Sequence, residues 1–251
     1  MIADSHVHVF PDLGKANGYD SVNEHMAFAR SLMFHRSVGR RLNDNSLVTG
    51  REWHQGENPE DLDFRGGNYG KFLWTVDGIE YARYYLPPTA RHLDSPPEQI
   101  IAQMDYLGVS KGVISGGHTY GRLNNYLGEV VGRFPERLLA LASIKEWKAD
   151  DPAIHDELRT AIRDNGLHGL FFDTASIHRQ GRHELSDDRV FDGFWSVVQE
   201  LEIPVFWNIT SESPDLDSWM EQHLAFSKWV NRYPDIACVY THGIPLYRFW
   251  S

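Results

Sequence analysis

From Ser95 onward the chain alternates short apolar runs with longer amphipathic stretches, and this rhythm restricts the fold more than any other feature. Ser95-Pro96-Pro97-Glu98 reads as a capping box with proline at the first helical turn. It predicts a helix to about Leu107, ended by Gly108. Residues 111–115 (KGVIS) then read as a strand, 120–134 as a helix and 138–144 (LLALASI) as a strand. Residues 152–165 read as a helix closed by Gly166, which suits a left-handed C-cap. The pattern continues with a strand at 167–172, a helix at 187–201, a strand at 203–209, a helix at 217–233 and a strand at 236–242. Phe191, Phe194, Trp195 and Val198 share one face of the 187–201 helix. A further strand opens the chain, with Ile2, Val7, Val9 and Phe10 as its strand formers. Strands alternating with helices in this way predict parallel βαβ units. Their near-continuous apolar character predicts burial on both faces.

Residues 11–90 break the rhythm. They are rich in Gly, Asn, Asp and Arg, with scattered aromatics at Trp53, Phe64, Tyr69, Phe72, Trp74, Tyr81, Tyr84 and Tyr85. The stretch is too long for a plain loop and too aromatic for a disordered linker. It is read as an insertion over the active-site rim, and residues 1–251 as a single domain. With 251 residues, 41% of them hydrophobic, the chain can bury one sizeable core. A formal net charge of −11 and no block of Lys and Arg argue against nucleic-acid or anionic-membrane partners and for a small-molecule substrate. The single cysteine, Cys238, excludes an internal disulfide and points to a reducing compartment. The opening MIADSHVHVF has no basic region followed by an apolar one. No apolar run approaches the roughly 18–20 residues of a membrane span. A cytoplasmic location is the expectation.

His6 and His8 lie two apart on the first strand, so their side chains project to one face, with Asp4 at the same parity. Two imidazoles at a strand's carboxyl end can share a metal ion, but spacing alone also fits two unrelated polar residues. His242 ends the sixth strand in THG. An open doubly wound sheet would give the same rhythm as a barrel. A barrel, however, gathers the carboxyl ends of its strands on one rim, and there His6, His8 and His242 would converge.

The motif DSHVHVF resembles the first-strand motif of the amidohydrolase superfamily. The segments SPPEQIIAQMDYLGV, FPERLLALASI, GLHGLFFDT, HELSDDRVFDGFWSVVQELEIPVF and YPDIACVYTHG resemble its amidohydrolase-related (amidohydrolase 2) branch. That branch includes aminocarboxymuconate semialdehyde decarboxylase-like enzymes, hydroxybenzoate-type decarboxylases and lactone hydrolases. The resemblance implies an α/β fold, a (β/α)8 TIM-type barrel with strands 1–6 in this chain and a long insertion after strand 1. It implies His6 and His8 as metal ligands and His242 as the histidine that activates water. The strand-five ligand histidine falls at Asn208, a weaker and harder donor that makes a harder ion more plausible. Zinc is the first expectation for the divalent metal, and manganese or another harder ion the second. The eighth-strand aspartate has no counterpart, since the sequence stops at Ser251. Six strands would leave apolar edges open. The expectation is therefore a C-terminal section with strands seven and eight, or a second chain over the gap.

Further polar residues lie near the expected rim. His178 and Asp173 follow strand four, and Arg83, Arg91 and His92 near the end of the insertion could hold a substrate carboxylate. His118 and Tyr120 follow strand two. Solvated surface polarity explains each of these as well. Cys238 shares the parity of His242 and suits a small packing position. The insertion's aromatics fit a lid, a local core or an oligomer contact. The functional expectation is a metal-dependent hydrolase of a small carboxylated, lactone or amide substrate, with metal-activated water and a histidine base. One alternative is nonoxidative decarboxylation of a small unsaturated or aromatic acid. Another is a non-catalytic ligand-binding barrel with a decayed metal site. A metal-dependent phosphoesterase or DNase fits the acidic balance poorly.

Overall fold

The computed structural model describes residues 2–35, 38–49, 62–209 and 216–243. In chain order these contain β1 (Ala3–Val7), α1 (Val22–His35), β2 (Val38–Arg41), β3 (Leu47–Thr49), β4 (Arg65–Gly66), β5 (Lys71–Val76) and β6 (Ile79–Tyr84). Next come α2 (Pro97–Leu107), β7 (Lys111–Ile114), α3 (Asn124–Arg133), β8 (Leu138–Ala142), α4 (Pro152–Arg163), β9 (Gly169–Asp173) and α5 (Thr174–Arg179). The last are α6 (Asp192–Glu200), β10 (Val205–Asn208), α7 (Leu216–Arg232) and β11 (Cys238–Tyr240). They form two compact units. One is Met1–Val7, Gly108–Gly117 and Asn124–Ser251; the other is His8–Leu107 and His118–Leu123.

The first unit is built on a parallel six-stranded sheet in the order β1-β7-β8-β9-β10-β11. Laid flat, five strand spacings of about 4.8 Å would hold the outer strands about 24 Å apart. Yet the rings of His6, on β1, and His242, just past β11, have centroids 4.6 Å apart. Two imidazole side chains cannot bridge the flat distance, so the sheet curls on itself as a (β/α)8 barrel requires.

The elements are those the rhythm predicts, trimmed at their ends. Residues 138–144 give a strand only to Ala142 because the Asn124 side chain takes over the next backbone groups. Its Nδ2 donates to the Ser143 carbonyl at 2.8 Å and its Oδ1 accepts the Ser143 N–H at 3.0 Å. The same residue starts α3, later than the expected 120. α4 follows its sequence signals: Asp151 caps it by accepting the Ala153 N–H at 2.9 Å, and Gly166 turns at φ 68. Residues 187–201 divide into a 3-10 turn at Arg189–Phe191 and α6. The short α5 was not expected. Between sheet and helices, Phe172, Phe194, Trp195, Trp207 and Trp229 are fully buried. Their centroids lie 4.6–5.4 Å apart for Phe172–Trp195, Phe172–Trp207, Trp195–Trp207, Trp195–Trp229 and Trp207–Trp229. Burying each such ring contributes about 1.5–3 kcal/mol.

The second unit holds an antiparallel five-stranded sheet in the order β3-β2-β6-β5-β4. β5 alternates half-buried and buried residues, with Phe72, Trp74 and Val76 inward. Asp77 and Gly78 join it to β6 at φ 49 and 75, positive at both positions as a type I′ hairpin needs. Trp74, Val76 and Tyr81 pack with Val48, Leu62 and Phe64 into a small core. Ser21 accepts the Glu24 N–H at 3.1 Å and Glu24 reaches back to the Asp20 N–H at 3.1 Å, which starts α1. The segment His118–Leu123 is tied into this unit by a close backbone crossing. Arg122 N donates to the Asn17 carbonyl at 2.8 Å, and a Cβ at Gly121 would stand 2.4 Å from that same oxygen. His25, fully buried, has its ring nitrogens 2.6 and 2.8 Å from the carbonyl oxygens of Lys15 and Thr119.

Candidate functional site

β1 ends irregularly. Its register against β7 shifts between Asp4 and Val7, and Asp4 Oδ1 accepts the His6 N–H at 3.0 Å. This local break sets the His6 ring, half-buried, with Nδ1 3.3 Å from Ser115 Oγ at the end of β7. At the other end of the sheet, Thr241 fixes the exit of β11. Its N–H and hydroxyl both donate to the Trp207 carbonyl, at 2.9 and 2.7 Å. His242 and Gly243 then turn at φ 62 and 64. The left-handed region is uncommon for a residue other than glycine, although histidine enters it more readily than most. The result is an exposed His242 ring edge-on to His6, at an interplanar angle of 64°.

Asn208 ends β10 directly opposite Asp173, the last residue of β9. Asn208 Nδ2 donates to Asp173 Oδ1 at 3.2 Å, and the other Asp173 oxygen pairs with the Arg179 guanidinium. Asp173 is buried, and its own N–H donates at 3.1 Å to the buried Glu146 carboxylate. Ser176 Oγ donates to the second Glu146 oxygen at 2.7 Å. The Asn208 amide oxygen meets no hydrogen-bond donor among the described residues.

His8 lies one residue beyond β1, in the second unit, so strand alternation alone does not set its direction. Its half-buried ring is 4.8 Å from that of Tyr120, which stacks at 4.6 Å on Phe10. The His8 carbonyl accepts from Ser95 Oγ at 2.8 Å. His118 is buried against Tyr19, with Nδ1 and the tyrosine hydroxyl 3.3 Å apart. Arg83 donates to the Met33 carbonyl at 2.6 Å, whereas Arg91 and His92 are exposed. His178, also exposed, has Nδ1 3.1 Å from the Arg182 carbonyl, just after α5. Cys238 is exposed on β11.

The structure thus joins His6 with His242, and Asn208 with Asp173, Arg179 and Glu146. The sequence reading singled out Asp173 but missed Glu146 and Arg179. Glu146 follows a strand's carboxyl end, where barrels gather functional side chains, and that position was the available signal. Among the described residues, no three His, Cys, Asp or Glu side chains stand together as a metal cluster. Taken singly, the His6 imidazole, in edge contact with His242, and the Asn208 amide oxygen, which meets no donor among the described residues, are each capable of donating to a metal ion. Imidazole nitrogen and amide oxygen are donor types that a borderline or hard divalent ion accepts.

The family model described as amidohydrolase matches residues 3–246. Among solved structures, the chain is similar to 2,6-dihydroxybenzoate decarboxylase from Rhizobium at 18% identity, over 63% of this chain and 60% of that one, with a TM-score of 0.50. A probable 2-pyrone-4,6-dicarboxylic acid hydrolase from Acinetobacter baumannii, with citric acid bound, gives 16% identity, 60% and 49% coverage and a TM-score of 0.44. A dihydroxybenzoic acid decarboxylase from Polaromonas, with bound manganese and 2-nitroresorcinol, gives 18% identity, 59% and 55% coverage and a TM-score of 0.47. The chain therefore spans about half to three-fifths of these proteins. No curated protein matches it. No helix among the described residues is long and apolar enough to cross a membrane.

Proposed function

The chain belongs to the amidohydrolase family, and on that premise we propose that it is a metal-dependent hydrolase of a small carboxylated, lactone or amide substrate. His6 and Asn208, both in the barrel unit, are its ligands to a divalent ion, and His242 is its proton-transfer residue. The observation that carries this reading is the 4.6 Å edge contact between His6 and His242. A histidine that receives and returns a proton must stand beside the groups that hold the reacting oxygen. When bound, the ion supplies Lewis acidity and lowers the pKa of a water molecule. His242 takes a proton from the attacking water and returns it to the leaving group. Its backbone leaves β11 in a turn that Thr241 anchors to the Trp207 carbonyl. Asn208 contributes an oxygen donor, which favours manganese or another hard ion over zinc.

A second reading, nonoxidative decarboxylation of an aromatic or unsaturated acid, is supported by the reaction named for the Rhizobium protein of the same fold. There His242 would deliver the proton that replaces the departing carboxyl group. The test is a paired assay for lactone or amide hydrolysis and for carbon dioxide release, with manganese or zinc added. Metal removal is expected to abolish whichever activity is found. Turnover that is unchanged after thorough chelation overturns both readings.

A further inference from the structure

A side-chain amide is chemically two-faced, since its oxygen and nitrogen exchange places by a half-turn that barely changes shape. For Asn208 one face is selected. A carboxylate accepts only, so Asp173 Oδ1, 3.2 Å away, can be met by the Asn208 NH2 and not by its oxygen. The reversed amide would set oxygen against oxygen. Arg179 occupies the other Asp173 oxygen and keeps the carboxylate an acceptor. Asp173 is itself fixed, because its N–H donates to Glu146 at 3.1 Å and its backbone is in register with Asn208 across adjacent strands. Thr174 Oγ1 donates to Gln222 Oε1 at 2.8 Å and lies 3.4 Å from the Asn208 backbone oxygen, so both sides of the junction are braced.

We propose that Asp173, backed by Arg179, is a positioning residue that locks the Asn208 amide with its oxygen turned outward as the metal donor. This rests on the reading of Asn208 as a ligand. Ligand imidazoles are commonly oriented by a carboxylate that accepts their second ring N–H, and losing such a partner costs about 10–100-fold in metal affinity. Asp173 does for an amide what that carboxylate does for an imidazole. The arrangement explains how asparagine can serve at a strand end without wavering between its two faces. It also implies a latent site: a histidine at 208 would find its orienting carboxylate already in place.

The test is calorimetric titration of the metal-free chain with manganese and with zinc. Asn208→Ala and Asp173→Asn are each expected to weaken manganese binding about 10–100-fold, with a smaller loss for zinc. Asn208→His is expected to tighten zinc binding at least about tenfold, and Asp173→Asn in that background to remove the gain. If Asn208→Ala leaves manganese binding unchanged, the ligand reading fails and the proposal with it. If only Asp173→Asn leaves it unchanged, the ligand reading stands and the positioning role is overturned. Equal losses for both ions on Asp173→Asn, the mark of a merely structural lesion, overturn it too. So does a zinc gain from Asn208→His that survives Asp173→Asn.

Discussion

The two units of this chain solve the burial problem in opposite ways. In the barrel unit, β9 is buried at all five positions because helices and the curled interior cover both faces. In the second unit, β5 buries every other residue, Phe72, Trp74 and Val76, and leaves the intervening ones half-exposed. A two-sided strand spreads its stability through a large aromatic layer, whereas a one-sided strand relies on a small local core and a tight turn. The candidate chemistry follows the same division. His6, Asn208 and His242 sit at strand ends of the barrel unit, while His8 stands on the stacked Tyr120–Phe10 pair of the other.

The division can be broken most sharply at His242. His242→Gln is expected to reduce turnover about 100- to 10,000-fold in a steady-state assay while leaving the thermal midpoint nearly unchanged. A variant that retains most of its rate would move the chemistry out of the barrel unit. Trp207→Ala should cost about 3–5 kcal/mol in a denaturant titration, because the residue lies at the centre of the aromatic layer. A loss below about 1 kcal/mol would show that this layer is not what stabilises the two-sided strands. In the hairpin the expected effect is smaller. A Cβ at Gly78 meets nothing within 4 Å, so Gly78→Ala pays only for its φ of 75, about 1–2 kcal/mol. A much larger loss would mean that the turn does more than reverse the chain.

The smallest effect concerns pH. Hydrogen bonds from the Arg182 guanidinium hold the Glu184 carboxyl down at about 2, against about 4.3 when unfolded. A depressed carboxylate contributes stability above its unfolded value and loses it as the pH falls through the folded one. The contribution is therefore expected at pH 5 and gone near pH 2. Because Glu184 is 36% exposed, it should amount to less than about 1 kcal/mol. Arg182→Gln should flatten this part of the acid unfolding curve. An unaltered curve would assign the acid response to other groups.

What was legible in the sequence depended on the range of the signal. The closing Gly166 of α4 is local chemistry and stands where the sequence puts it. The end of β8 was missed by two residues because it is set by the distant Asn124 side chain. The second unit was read only as an irregular insertion, although its signals were present. Asp77-Gly78 between alternating apolar residues marks a hairpin, and Ser21-Val22-Asn23-Glu24 marks a helix start. Glycine, asparagine and arginine around these short elements interrupt their apolar periodicity, which is weaker than the longer βαβ rhythm.

By itself the sequence determined the alternation of strands and helices, the residue types at the strand ends and the family, since each is written in local periodicity and motif. The tertiary structure alone decided that His6 meets His242 and that Asn208 faces Asp173. The physical reason is that both contacts depend on non-local geometry. The first arises from curl accumulated across six strands, and the second from the register between two strands whose facing residues are 35 positions apart.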